Sequence, residues 1–142
     1  MGTITNFGPT SNYARLTTLA YPQVTPTVNA VAAAVTYTVA EILSGLILRD
    51  ALSSARADLL PTAAAIVAAI NGCQVGTSFR TWIRNTGAGA GSITLTTNTG
   101  LTLSGTVAIV FQQQKELLFV VTNVTPGSEA VTVYSLGASV AI

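Results

Sequence analysis

The residues able to do acid–base, nucleophilic or metal chemistry are few in this chain. Its acids are Glu41, Asp50, Asp58, Glu116 and Glu129, its one lysine is Lys115, its one cysteine is Cys73, and it has no histidine. Acid–base catalysis at neutral pH usually recruits a histidine, a carboxylate pair or a lysine with a shifted pKa. The acids are isolated in sequence except Asp50 and Asp58, which share the charge-rich stretch Arg49 to Asp58, read here as a flexible, solvated loop. A glycosidase needs two carboxylates held at a defined separation, and a calcium loop needs several oxygen ligands close together. Neither pattern is present. Without histidine a Ser-His-Asp arrangement cannot form, and a Ser-Lys dyad would have to use Lys115, which Gln112 to Glu116 places in a polar turn. Cys73 alone excludes an intramolecular disulfide and a cysteine-based zinc cluster. With no adjacent cation or base to activate its thiol, it reads as a small buried apolar residue. The sequence therefore predicts no catalytic residue, no metal site and no cofactor.

Residues suited to binding are easier to find. Ser78 to Arg84 alternates, with Phe79, Thr81 and Ile83 on one side and Arg80, Trp82 and Arg84 on the other. A tryptophan between two arginines can stack on a sugar or base, or anchor a protein partner; alternatively, a helix or the N-terminal arm covers it. Phe7, Tyr13 and Tyr21 are isolated aromatics in a segment where Gly2, Gly8, Pro9, Pro22 and Pro26 interrupt regular pairing. Residues 1–30 read as an extended arm, and these aromatics as candidate anchors on a neighbouring subunit. The run Gly87 to Gly91 follows a strand and leads to another strand, so no helix N-terminus awaits a phosphate. It reads as a hairpin connection.

Composition narrows the partners. Charged residues make up 8% of 142 residues, net charge is +1, and 49% are hydrophobic, against about 25% charged in ordinary soluble proteins. So little charge disfavours nucleic acid as a partner and weakens the usual protection against self-association. The most apolar stretch, Val28 to Leu48, is interrupted by Thr36, Thr38, Glu41, Ser44 and Gly45 and closed by Arg49 and Asp50, so no membrane span is expected. The N-terminus lacks a basic region followed by an apolar core, and no secretory signal is expected.

The elements that must position these residues are mainly strands, in one domain over residues 31–142. Thr36 to Val39 reads as a short strand. Thr38 and Glu41 then have the spacing of a capping box for a short helical turn, and Leu46 to Leu48 reads as a buried strand. Pro61 to Ile70 is the clear helix, Ala-rich and stopped by Asn71-Gly72. After Gly76 strands recur with turn residues between them, through Ile93 to Thr96, Leu101 to Leu103, Val107 to Phe111, Leu117 to Val124 and Ala130 to Leu136. The predicted fold is a mainly β, jelly-roll-like β-sandwich with one short Ala-rich helix and an extended N-terminal arm.

The segments Gly45-Leu-Ile-Leu-Arg-Asp50, Leu60-Pro-Thr-Ala-Ala-Ala65, Val75-Gly-Thr-Ser-Phe79, Ile83-Arg-Asn-Thr86 and Thr122-Asn-Val-Thr-Pro-Gly-Ser-Glu-Ala130 give the chain its look. Over roughly Tyr37 to Gly137 it resembles head cement, or decoration, proteins of tailed bacteriophages. The resemblance implies a jelly-roll-like subunit on the outer surface of an icosahedral capsid, bound to the major capsid protein and to itself, with no catalytic residues. Low charge favours self-association, and a homodimer is expected over a trimer since one self-complementary patch suffices. The alternative is a carbohydrate- or receptor-binding module of a phage tail fibre or spike, for which the Trp82 side would be the site.

Overall fold

The computed structural model describes residues 24–105 and 107–141, with side chains up to residue 137. Two helices form where local chemistry caps them. In α1 (Val39–Leu43) the Thr38 hydroxyl oxygen accepts from the Glu41 backbone N–H at 3.2 Å, while the Glu41 carboxylate accepts from the Thr38 backbone N–H at 2.7 Å, the reciprocal capping box. In α2 (Ala63–Ala69) the Thr62 hydroxyl oxygen accepts from the Ala65 N–H at 3.2 Å, and Ala63 and Ile66 are buried. The Ala-rich helix is thus joined by a second, shorter one.

The rest is mainly β. The strands are β1 (Thr27–Ala30), β2 (Leu46–Asp50), β3 (Arg56–Leu59), β4 (Ser78–Asn85), β5 (Ile93–Thr96), β6 (Leu101–Ser104), β7 (Ala108–Ile109), β8 (Gln113–Asn123) and β9 (Ala130–Ala141). Six of them form one sheet in the order β1-β2-β4-β8-β9-β6, and β3-β5-β7 form a smaller one. β1 with β2, β2 with β4, β3 with β5 and β6 with β9 run parallel. β4 with β8, β5 with β7 and β8 with β9 run antiparallel. This mixed pairing differs from the antiparallel Greek keys of a jelly roll. The long β8–β9 hairpin closes through Thr125-Pro126-Gly127-Ser128, where the Ser128 N–H reaches the Thr125 carbonyl at 2.9 Å and Gly127 has φ +80°. Proline second and a positive-φ glycine third are what a type II turn requires.

One core joins these layers. Ile47, Ile83, Leu117, Phe119, Val121, Val131 and Val133 point from the large sheet toward Tyr37, Ile42, Leu60, Ala63, Ile66, Ile93, Leu95 and Ile109. Phe79 and Phe119, opposite each other on β4 and β8, stack with ring centroids 4.8 Å apart. Cys73 is half-buried at the margin of this core.

Tertiary structure revises several local expectations. Thr36 makes only a single bridge to Leu59, and Val39 already belongs to α1. Thr27–Ala30, assigned above to the arm, pair with β2 as an edge strand of the large sheet. Lys115 is not in a turn: β8 begins at Gln113 and buries it. The glycine run does not close a hairpin, because β4 lies in the large sheet and β5 in the small one. Asn85 steers that crossover: its amide donates to the Gly91 and Ile109 carbonyls at 2.9 and 3.2 Å, and its oxygen accepts the Gly87 N–H at 3.1 Å. Glycine is needed at position 91 for close approach, since a Cβ there would lie 2.7 Å from the Leu52 and Ser54 carbonyl oxygens.

The largest revision concerns Arg49 and Asp58, expected in a solvated loop. Both side chains are 0% exposed, and they pair at 2.7 Å between Nε and Oδ2 and 3.2 Å between the second guanidinium nitrogen and Oδ1. Arg49 is on β2 and Asp58 on β3, so the pair ties the two sheets together. The remaining guanidinium hydrogens go to the Val31, Ala33 and Asp50 carbonyls at 2.9, 2.7 and 2.7 Å. Asp58 also accepts from the Val35 N–H at 3.1 Å and the Tyr37 hydroxyl at 2.9 Å. A charge taken out of water must have every hydrogen-bonding position satisfied, and here residues 31–37 supply the missing partners. Burial opposes the charge on Arg49, but the Asp58 carboxylate more than offsets this and holds its pKa above the ordinary value. Burial, reinforced by the Asp58 charge, raises the Tyr37 phenol far above its ordinary 10.0.

Two predictions test this cluster. Arg49→Met strands a buried carboxylate and should cost about 3–5 kcal/mol in urea unfolding, whereas Arg49→Met combined with Asp58→Leu should recover part of that loss; equal losses for the single and double variants would contradict the pairing. The second concerns alkali. The unfolded phenol ionises near pH 10 and the folded one only far above it. The stability Tyr37 contributes is therefore complete below about pH 10 and declines as pH rises beyond it. In an absorbance titration of the four tyrosines, one should ionise only as the protein unfolds, and that late component should vanish in Tyr37→Phe.

Candidate interaction face

The two faces of the six-stranded sheet have different fates. Opposed residues in a sheet share a face, so the register groups the outward side chains into rows. One row is Leu46, Trp82, Glu116 and Leu136; the next is Leu48, Arg84 and Gln114; on the other side lie Arg80, Leu118, Tyr134 and Ser104, then Val120, Thr132 and Thr102. Both helices and the small sheet contribute to the core under the opposite face. Among the described residues no element covers the outer one. Trp82 is 38% exposed and Tyr134 40%, while Leu46, Leu48, Leu118, Val120 and Leu136 are half-buried among their neighbours.

This outer face mixes Leu46, Leu48, Trp82, Leu118, Val120, Tyr134 and Leu136 with the polar Arg80, Arg84, Glu116, Gln114, Ser104, Thr102 and Thr132, and so carries more large apolar side chains than a solvated sheet ordinarily does. Antiparallel strands with one wet face alternate cleanly, yet β8 reads Leu117-Leu118-Phe119-Val120-Val121 and β2 reads Leu46-Ile47-Leu48. Arg80, Arg84 and Glu116 bring charge to the face, and Asp50 ends the outward series of β2. The Arg80 guanidinium donates to the Glu116 carboxylate at 2.7 Å, an exposed pair that water and salt screen. Arg84, half-buried beside Trp82, has a buried Nε with no acceptor among the described residues.

The structure therefore brings Arg80, Trp82 and Arg84 together on one face, as the alternation of β4 implied. Phe7, Tyr13 and Tyr21 lie outside the described residues. The sequence reading missed Leu46, Leu48, Leu118, Val120, Tyr134 and Leu136. The signal for them was the unbroken apolar runs of β2 and β8, which belong to a strand with two dry faces placed in a sheet with only one covered.

The described acids are engaged structurally or dispersed. Glu41 caps α1, Asp58 pairs with Arg49, Glu116 pairs with Arg80, and Asp50 accepts the Leu52 N–H at 2.7 Å. Among the described residues no three of His, Cys, Asp and Glu gather where a metal could sit, and no helix is long and apolar enough to cross a membrane. Compared with protein-family models, with curated proteins and with solved structures, the chain matches none. What it offers chemically is a broad surface of mixed apolar and polar side chains with one tryptophan near its middle.

That single tryptophan makes the face directly observable. In the isolated protein its emission should be red-shifted and readily quenched by acrylamide, as a ring more than a third exposed demands. An emission spectrum and quenching constant like those of a buried indole would mean the face is already covered.

Proposed function

We propose that this chain is a structural subunit of a tailed-bacteriophage virion, which binds the outside of the icosahedral head and cements neighbouring major capsid subunits. The observation that carries this reading is the set of large apolar side chains left uncovered on the outer face of the six-stranded sheet, Leu46, Leu48, Trp82, Leu118, Val120, Tyr134 and Leu136. Exposed apolar patches of this kind mark contact surfaces, and burial of Trp82, Tyr134 and the surrounding leucines would supply the attachment energy. The described acids and Lys115 are assigned to structure or scattered, which supports a role without catalysis. Self-association as a dimer belongs to the same reading. Arg49, Asp58 and Lys115 are buried, so the surface of this sparsely charged chain has still less charge to keep copies apart. In this reading the segment ahead of β1 contributes as an arm through Phe7, Tyr13 and Tyr21.

A second reading rests on Trp82 itself, exposed between two arginines. On a tail fibre or spike such a ring would stack on a sugar.

The two readings part on heads. A clamp that binds the assembled shell and not its dissociated subunits stabilises it by mass action, about 2.7 kcal/mol per site at a hundredfold excess over the dissociation constant. Heads stripped of the protein should rupture at lower temperature, and adding it back should restore them while shielding Trp82 from acrylamide. Because attachment rests on apolar burial, raising salt from low to physiological should release little protein. Stripped and decorated heads of equal robustness would exclude the clamp, and Trp82 shielded by an oligosaccharide instead would establish the fibre module.

A further inference from the structure

Asn71 differs from the other described asparagines in that nothing among the described residues holds its side chain. The Asn29 amide nitrogen reaches the Glu41 carboxylate at 3.4 Å, and Asn85 makes three hydrogen bonds at the glycine crossover. The Asn98 and Asn123 side-chain oxygens accept the Thr99 and Thr125 N–H groups at 2.8 and 2.9 Å. Asn71 is exposed just beyond the end of α2, and its successor is Gly72, the one Asn-Gly step in the sequence. The two residues occupy the middle of a turn that the Cys73 N–H closes on the Ile70 carbonyl at 3.1 Å, with Gly72 at φ +71°. The peptide that joins them bonds through neither its carbonyl nor its N–H among the described residues, so it can rotate without breaking a hydrogen bond. Nothing lies within 4 Å of the place a Gly72 Cβ would take, and that side of the turn is uncrowded.

We propose that Asn71-Gly72 is a modification site at which the chain converts its own asparagine to aspartate and isoaspartate. Hydroxide takes the proton of the Gly72 N–H, and the amide nitrogen attacks the Asn71 side-chain carbonyl carbon. As that C–N bond forms, the bond to the side-chain nitrogen breaks, and the nitrogen takes a proton from water and leaves as ammonia. The product is a cyclic succinimide. Water then opens the ring: attack at the former side-chain carbonyl gives aspartate, and attack at the main-chain carbonyl gives isoaspartate, with an extra methylene in the backbone. A glycine at the second position favours ring closure because no Cβ shields its nitrogen or restricts its backbone. Either product carries a carboxylate and takes the formal net charge from +1 to zero, which weakens the repulsion between copies of the chain. It also sets a negative charge just past the C-terminal end of α2, where the helix dipole disfavours one.

The test holds the full chain in mildly alkaline buffer beside a blocked Asn-Gly dipeptide in the same solution conditions, and follows released ammonia, ion-exchange mobility and the peptide map. An acidic species should accumulate, with isoaspartate at residue 71 before it is detected at any other asparagine, and with one ammonia released per converted chain. Part of that species should co-elute with Asn71→Asp. Asn71→Gln, whose longer side chain must close a larger ring, should remain unconverted over the same time. A chain that keeps Asn71 intact while the dipeptide converts would overturn the proposal, because the turn would then be held against ring closure. So would isoaspartate that appears first at Asn29, Asn85, Asn98 or Asn123.

Discussion

The buried pairing of Arg49 with Asp58 is the constraint around which the rest of the molecule is arranged. Desolvating two charges costs several kcal/mol per ion unless every donor and acceptor finds a partner. The fold meets that demand by bringing β2, β3 and residues 31–37 to one point. The chain reaches α1 only after its carbonyls at Val31 and Ala33 have met the guanidinium and its Val35 N–H has met the carboxylate. The Tyr37 ring then enters the core with its hydroxyl on the same carboxylate. A leucine pair could fill the volume, but it would not specify which backbone groups lie against it. The ion pair thereby selects one path for the segment that links β1 to α1 and one mutual placement of the two sheets.

Placing those charges inside has a consequence outside. A chain with eleven charged side chains, six basic and five acidic, that buries Arg49, Asp58 and Lys115 has few left for its surface. The long hairpin β8–β9 is dry on its inner face, where Leu117, Phe119, Val121, Val131 and Val133 pack, and it also carries Leu118, Val120, Tyr134 and Leu136 on its outer face. Fold stability requires only the first of these. The second has no folding rationale in the described structure, which is what supports the proposed contact surface.

What the sequence by itself determined is the chemistry that acts within a few residues. The Thr38–Glu41 box, the Ala-rich helix and the alternation that puts Trp82 between Arg80 and Arg84 each depend on neighbours one to four positions away. They were legible because propensity and hydrogen-bond geometry already decide them. So was the mainly β character, from the recurrence of β-branched runs between turn residues. Only the tertiary structure decided the rest. Arg49 and Asp58, nine residues apart across Ser53 and Ser54, carry the composition of a wet loop; whether such charges meet water or each other depends on which sheets close over them. The parallel pairing of β2 with β4, the crossover at Gly87 to Gly91 and the strand role of Lys115 depend likewise on partners tens of residues distant. The outer face lay between these cases. Its β4 row was visible as alternation, but its extent over β2, β8 and β9 was not, because a continuous apolar run shows that both sides of a strand are dry without showing which side the fold leaves open.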